Sequence, residues 1–281
     1  LSRLLELHDI PEKIYIEGNL PEIHIDEYGR ASPRILTIVG SRKNTTYGAD
    51  VIDYLLKNLS GSPVIIISGL AYGIDGLSHK AAIKYNLKTL SLPGSGLDKK
   101  VIYPRGHRDL ADEILKNDGA LLSELDPLTP PALWTFPARN RIMAALSDAV
   151  LIIEAEEKSG TLITARQALE LGRDIGAIPG NIFSTNSSGT NMLIKEGAYA
   201  IRNIKDLTDL LHISHEEKVN QVDENLSPPE KIIINLLNEP KEKDALLIES
   251  GLSPTEFLIT LSTLEMKGKV QETFGEIRII V

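Results

Sequence analysis

Two arginines, Arg139 and Arg141, flank Asn140 in the run Phe136-Pro-Ala-Arg-Asn-Arg-Ile142, and Lys158, Ser159, Gly160 and Thr161 stand together beyond a continuous apolar stretch. The first group reads as the opening of one helix and the second as the opening of the next. A helix N-terminus offers free backbone N–H donors and roughly half a unit of positive charge. Cations placed there oppose the dipole, which makes poor sense for stability and good sense for an anion. Phosphate suits this combination of guanidinium forks, hydroxyls and amides. The structural alternative pairs Arg139 or Arg141 with Glu154 or Asp148.

Other loops repeat the theme. Gly40-Ser41-Arg42 follows an apolar run directly, offering a tight turn, a hydroxyl and a bidentate phosphate fork, or else an ordinary strand-to-helix turn with a surface arginine. In Ser68-Gly-Leu-Ala-Tyr-Gly-Ile-Asp75, Gly69 and Gly73 keep the loop thin enough for backbone amides to approach a ligand, and Asp75 is placed to cap the next helix. Asp75 and His79 lie four apart, a spacing open to a metal or an acid–base pair, but a cap and a solvated histidine account for it more simply. Pro93-Gly-Ser-Gly-Leu-Asp98 and Tyr103-Pro-Arg105 form a further loop in which Arg105 adds a phosphate contact, and Ser188-Gly-Thr-Asn191 opens a helix that carries Lys195. Tyr72, Tyr103 and Phe136 are the stacking candidates, with a core or rim role equally open for Phe136.

Other chemistries lack their motifs. The chain has no Gly-x-x-x-x-Gly-Lys-[Ser/Thr] loop, no third glycine after Gly94-Ser-Gly96 at dinucleotide spacing, no Gly-x-Ser-x-Gly elbow and no His–carboxylate group with convincing metal spacing. No catalytic residue, metal or cofactor is therefore assigned.

The elements that must carry these loops are legible in the pattern. Apolar runs at Ile35–Gly40, Val64–Gly69, Lys88–Pro93, Ala120–Glu124, Ala149–Ala155, Asp174–Pro179 and Ala198–Arg202 alternate with helical patterns such as Asp75–Tyr85, Asn140–Ser147, Thr161–Leu171 and Thr190–Glu196. Near-continuous Val/Ile/Leu strands are those covered on both faces, so the chain predicts an α/β fold with a doubly wound, mostly parallel sheet over residues 31–211. Residues 1–30 read as a short acidic extension and 212–226 as a linker. Residues 227–281 read as a small domain: Ser227-Pro-Pro-Glu230 and Ser253-Pro-Thr-Glu256 are capping boxes, a middle helix fits Lys243–Glu249 before Gly251, and a third helix presents Phe257, Leu258, Leu261 and Leu264 on one face. Gly268-Lys-Val, Phe274-Gly-Glu and Ile277–Val281 suggest a hairpin, which completes a winged-helix pattern.

The 281 residues carry a net charge of −9, but unevenly. Residues 1–30 hold 3 basic and 7 acidic side chains, whereas 31–210 hold 20 and 19, leaving room for a local basic groove. No apolar run approaches the ~20 residues that span a bilayer, and no secretory pattern opens the chain. Absence of cysteine removes disulfides and thiolate zinc sites and fits the cytoplasm. A chain that opens on Leu1 suits a fragment or a trimmed protein.

Together the segments resemble the DprA/Smf family of DNA-processing proteins. The resemblance is carried by Gly40-Ser-Arg42, Ser68-Gly-Leu-Ala-x-Gly-Ile-Asp75 with His79, Gly94-x-Gly-Leu-Asp98 with Tyr103-Pro104, Phe136-Pro-x-Arg-Asn-Arg-Ile, Ser159-Gly-Thr-Leu-Ile-Thr-Ala, Glu170-x-Gly-Arg173, Ile178-Pro-Gly180 and Ser188-Gly-x-Asn with Ile194-Lys-Glu-Gly-Ala198, in consistent order. Asp9-Ile-Pro, Tyr15 and Gly18-Asn-Leu resemble the family's lead-in, while Pro93 departs from the apolar residue more usual there. The resemblance implies an extended Rossmann-like domain, in some members followed by a winged helix. It further implies a protein that binds single-stranded DNA without hydrolysing it, self-associates as a homodimer or larger assembly, and loads the RecA recombinase during natural transformation. The basic contacts carry over onto Arg42, Arg105, Arg139, Arg141 and Lys195, framed by the glycine loops.

Two rival functions remain. Related phosphoribohydrolases use Pro-Gly-Gly-x-Gly-Thr-x-x-Glu, but here Gly160-Thr161-Leu-Ile is followed by Thr164 and the double glycine is missing. A winged-helix regulator would need neutralised phosphates, yet residues 226–281 hold 6 basic and 9 acidic side chains, which favours a protein-contact role for that domain.

Overall fold

Isolated strands cannot satisfy their own backbone, and the apolar runs do so by pairing into one eight-stranded sheet. In chain order the elements are β1 (Tyr15–Gly18), β2 (His24–Ile25), β3 (Ala31–Ser32), β4 (Arg34–Val39), α1 (Thr46–Leu59), β5 (Val64–Ser68), α2 (Ile74–Lys84), β6 (Lys88–Ser91), α3 (Arg108–Lys116), β7 (Ala120–Ser123), α4 (Thr135–Leu146), β8 (Ala149–Ile152), α5 (Thr161–Glu170), β9 (Asp174–Ala177), α6 (Thr185–Lys195), β10 (Tyr199–Ala200) and α7 (Ile204–Leu210). The strand order is β1-β7-β6-β5-β4-β8-β9-β10, with β1 antiparallel to β7 and every other neighbour parallel. The computed structural model describes residues 1–25, 31–213, 226–237, 240–273 and 275–279, which fall into two units, Leu1–His215 and Glu216–Val281.

Alternation along each strand divides the core between the two faces. Ile35, Val39, Ile65, Ile67, Val150 and Ile152 face α4, α5 and α6, whose Ile142, Met143, Leu162, Ala165 and Leu193 close over them. Leu36, Ile38, Val64, Ile66, Ala149 and Leu151 face α1, α2 and α7, meeting Ile52, Leu55, Leu56 and Leu59 at helical spacing. Each fully buried branched side chain contributes roughly 1.5–3 kcal/mol, so the sheet holds its loops on a stiff base. The order reverses between β4, which leads to β5 on one side, and β8 on the other. In open α/β sheets the crevice beyond such a reversal, at the carboxyl ends of the strands, is the usual ligand position.

Three local features differ from the sequence reading. The acidic N-terminal stretch is sewn into the first unit rather than standing apart: β1 extends the sheet, Leu4 and Leu7 join its core, and Arg3 bonds Asp148 at 2.7 Å. Helix α4 begins at Thr135, five residues before the expected Asn140. Pro137 sits in its first turn, where a missing N–H costs nothing. Helix α6 begins at Thr185, because its hydroxyls bond helix carbonyls, as in Ser188 Oγ to Thr185 O at 2.7 Å, instead of breaking the helix.

The second unit is a helical trio with a three-stranded sheet: α8 (Pro228–Leu236), β11 (Lys241–Glu242), α9 (Lys243–Ser250), α10 (Pro254–Met266), β12 (Val270–Thr273) and β13 (Glu276–Ile279), ordered β11-β13-β12. Ser227 and Glu230 form the capping box, and Gly251 ends α9 in the left-handed region at φ 65°. Phe257, Leu261 and Leu264 are buried as expected, but Leu258 is half exposed. Residues 257, 261 and 264 already fill the buried stripe, and 258 falls beside it. The expected linker lies mostly on residues 214–225, outside the described residues, as do Phe274, Ile280 and Val281 of the expected hairpin.

Candidate nucleic-acid interface

Loops that leave β4 and β8 in opposite directions enclose a cleft of about 370 Å³. One wall is Gly40, Ser41, Arg42 and Lys43; the other is Ser159, Gly160 and Thr161 at the start of α5, with Ile163 and Thr164 behind; Phe136, Arg139 and Asn140 of α4 and Asp75 of α2 complete it. Thr161 Oγ1 donates to Gly40 O at 3.2 Å, tying the walls together, and Ser159 Oγ accepts from Thr161 N at 3.2 Å. Glu154 supports the β4 side by accepting from Thr45 N at 2.9 Å and Thr45 Oγ1 at 2.6 Å, which caps α1.

The expected cations take different roles. Arg42 is exposed, has no carboxylate partner among the described residues, and stands 5.2 Å over the Phe136 ring. Tyr103 meets the same ring edge-on at 5.8 Å, so cation and two aromatics form a continuous rim. Arg139 is buried beneath that rim. Its Nη1 donates to Gly69 O at 2.7 Å and to Leu92 O, and its Nε donates to Asn140 Oδ1 at 3.0 Å. Burial brings its pKa down to about 10, opposed by the Asp75 carboxylate and reinforced by Arg42, so it stays charged at neutral pH.

Arg141 is not part of the cleft. Its guanidinium holds Glu124 and donates to Asp9 O at 2.7 Å. Neither Glu154 nor Asp148 is the partner of either arginine; Asp148 is taken by Arg3 and Arg34. The dipole argument for both arginines also falls, since they are the fifth and seventh residues of α4. Lys158 and Arg105 are exposed but do not line the cleft. Lys195 closes α6, about 9 Å along the helix from Gly189, which bonds Ala155 O at 2.8 Å near the cleft.

The glycines admit the protein's own side chains. A Cβ on Gly69 would fall inside the Arg139 guanidinium, one on Gly94 inside the Phe136 ring, and one on Gly73, at φ +77°, against Ser41 O. Asp75 is not the α2 cap; Gly73 holds that position without a side-chain bond. Burial of the Asp75 carboxylate pushes its pKa up, against the pull of Arg139, the Ala71 and Gly69 backbone and Arg42. His79 is not solvated either. It is fully buried, its Nδ1 lies 2.7 Å from Thr89 Oγ1, and burial depresses its pKa to about 3, leaving it neutral.

Sequence reasoning passed over Lys43 and Glu156, which also line the cleft, and His107, whose Nδ1 lies 2.7 Å from Leu70 O and whose ring meets Tyr72 edge-on at 4.9 Å. Lys43 adjoins Arg42 and was the one detectable in advance. No group of His, Cys, Asp and Glu suited to a metal occurs among the described residues. No helix among them is long and apolar enough to cross a membrane.

The family model described as DNA recombination-mediator protein A matches residues 2–212. DNA processing protein DprA of Bacillus subtilis is 40% identical over 208 residues, which covers 74% of this chain and 67% of that protein. The X-ray structure of DNA processing protein A from Streptococcus pneumoniae superposes with a TM-score of 0.65 at 36% identity, covering 74% of this chain and 69% of that one. DNA processing protein A from Helicobacter pylori, whose structure concerns its single-stranded DNA binding mode, gives a TM-score of 0.64 at 31% identity, covering 75% and 92%. The chain belongs to the DNA recombination-mediator protein A family.

Proposed function

We propose that this chain binds single-stranded DNA without reading its sequence, leaves the strand uncut, and passes it to a RecA-type recombinase while self-associated as a homodimer or larger assembly. The observation that carries the DNA reading is Arg42: an exposed guanidinium with no carboxylate partner among the described residues, beside the α5 N-terminus and over Phe136. A backbone phosphate receives charge from Arg42 and Lys43 and donors from the Ser159–Thr161 turn, while Phe136 and Tyr103 offer faces on which any base stacks. Arg139 acts from below, as fixed positive charge rather than as a fork that reaches out. Family membership and the single-strand binding mode reported for the Helicobacter pylori protein support the same reading.

An uncut strand is consistent with the cleft's chemistry. Thr164 lines it where the related phosphoribohydrolases carry a glutamate, and a hydroxyl supplies no comparable base. Release of ribose phosphate from a nucleoside monophosphate would overturn this part. For the second unit, α10 exposes Leu258, Ile259 and Met266 beside Glu256 and Glu265, which suits contact with protein better than with duplex phosphates.

The deciding experiment is a titration with oligothymidine at two salt concentrations. Binding should weaken as salt rises, and Arg42→Ala should cost roughly 1–3 kcal/mol through loss of a charge-assisted contact. Equal affinity in wild type and variant removes the proposed cleft.

A further inference from the structure

A polyanion site has no evident use for a buried carboxylate, yet the cleft wall contains one in Asp75, besides the exposed Glu156. Asp75 is 6% exposed, lines the cleft, and has no ion-pair partner among the described residues. The groups that favour its ionised form are Arg139 from α4, the backbone of Ala71 and Gly69, and Arg42 from the loop after β4. On its own helix His79 is neutral, and on the neighbouring 3-10 turn, Arg105–His107, the His107 ring lies against Gly76.

A phosphate entering this cleft changes the balance at Asp75 in two ways. It offsets the positive charge of Arg42 and Arg139, and it adds negative charge across a wall from which water is largely excluded. Both disfavour an ionised carboxylate. Protonation turns one Asp75 oxygen into a hydroxyl and leaves the other an acceptor, and the turn keeps its backbone bonds from Gly76 N to Ala71 O and from Leu77 N to Gly73 O. We propose that the cleft takes up polyanion and proton together, with Asp75 as the proton acceptor. The inference rests on the polyanion reading and adds a regulation to it: one proton passes from solvent to an Asp75 oxygen on binding, and no bond is broken. By linkage, affinity then rises as pH falls, by at most tenfold per pH unit for a single proton. Asp75 thereby sets how firmly the strand is held, weakening the grip at higher pH.

The test is calorimetry of the full chain with oligothymidine that lacks a terminal phosphate, between about pH 6 and 8, in two buffers of different ionisation heat. Wild type should take up a fraction of a proton, and its affinity should rise toward the acid end. Asp75→Asn keeps an acceptor for the loop but cannot titrate; it should bind more tightly at the alkaline end and lose both proton uptake and pH slope. His107→Gln should retain them, which separates Asp75 from the nearby imidazole. Binding by wild type with no proton uptake overturns the proposal, as does an unchanged pH slope in Asp75→Asn. A wild-type chain that fails to bind oligothymidine at any pH overturns the polyanion reading and this inference with it.

Discussion

Arg139 lines the cleft as a buried side chain and not as a fork that reaches outward. Its type and setting pointed to phosphate, but the structure turns its Nη1 inward to the carbonyls of Gly69 and Leu92. Those acceptors lie 70 and 47 positions away along the chain, beyond the reach of local spacing. The partners of Arg141 also lie outside local spacing, Asp9 at 132 positions and Glu124 at 17. The place of Arg42 and the Ser159–Thr161 turn in the cleft was legible because it follows from position at a strand end or helix start. The inward setting makes a double-mutant prediction. Gly69→Ala forces the guanidinium out and strands a buried cation and two carbonyls, so it should destabilise the fold by a few kcal/mol in urea unfolding. Most of that cost should vanish when Arg139→Ala is already present, because the clash has lost its partner. Equal costs in both backgrounds would show that Gly69 is required for another reason.

At the scale of elements, strands were easier to read than helix starts. Strands buried on both faces advertise themselves as unbroken Val/Ile/Leu runs, whereas α4 and α6 begin among Pro, Ser, Thr and Asn, which favour loops elsewhere. The capping box of α8 was visible, but its further partner was not: Glu230 is buried and accepts from Lys267 Nζ at 2.7 and 3.0 Å, across 37 residues. The Lys267 bond holds the Glu230 pKa below its usual value, and the backbone of Ser227 adds to the effect. A depressed folded pKa contributes stability above the unfolded value, near 4.3, which is lost as pH falls through the folded one. Melting of the second unit should therefore lose stability in acid below about pH 4.3, and Glu230→Gln should be less stable at neutral pH with a shallower acid loss. Parallel acid profiles for the two proteins would argue that other carboxylates control the transition.

Across the whole molecule, the family match ends at residue 212, and the cleft is built entirely from the first unit. Deleting residues 227–281 should accordingly leave oligothymidine binding within about threefold of wild type, a change worth less than 1 kcal/mol; complete loss in a gel shift would move the site to the second unit. The sheet and its crevice were readable because alternation of elements determines the strand reversal. The role of the N-terminal segment was not, because its acidity describes its surface and not what it grips. Arg3, Arg141 and Arg173 clasp that segment through Asp148, Asp9 and Glu6, over Leu4 and Leu7 in the core. A protease cut in the exposed stretch around Glu12 and Lys13 would thus do more than shorten the chain. Release of the clipped peptide would bare a greasy strip along α4 and loosen the hold on Arg141, turning nicked molecules into stickier, more cationic ones that cling to each other and to any acidic surface nearby.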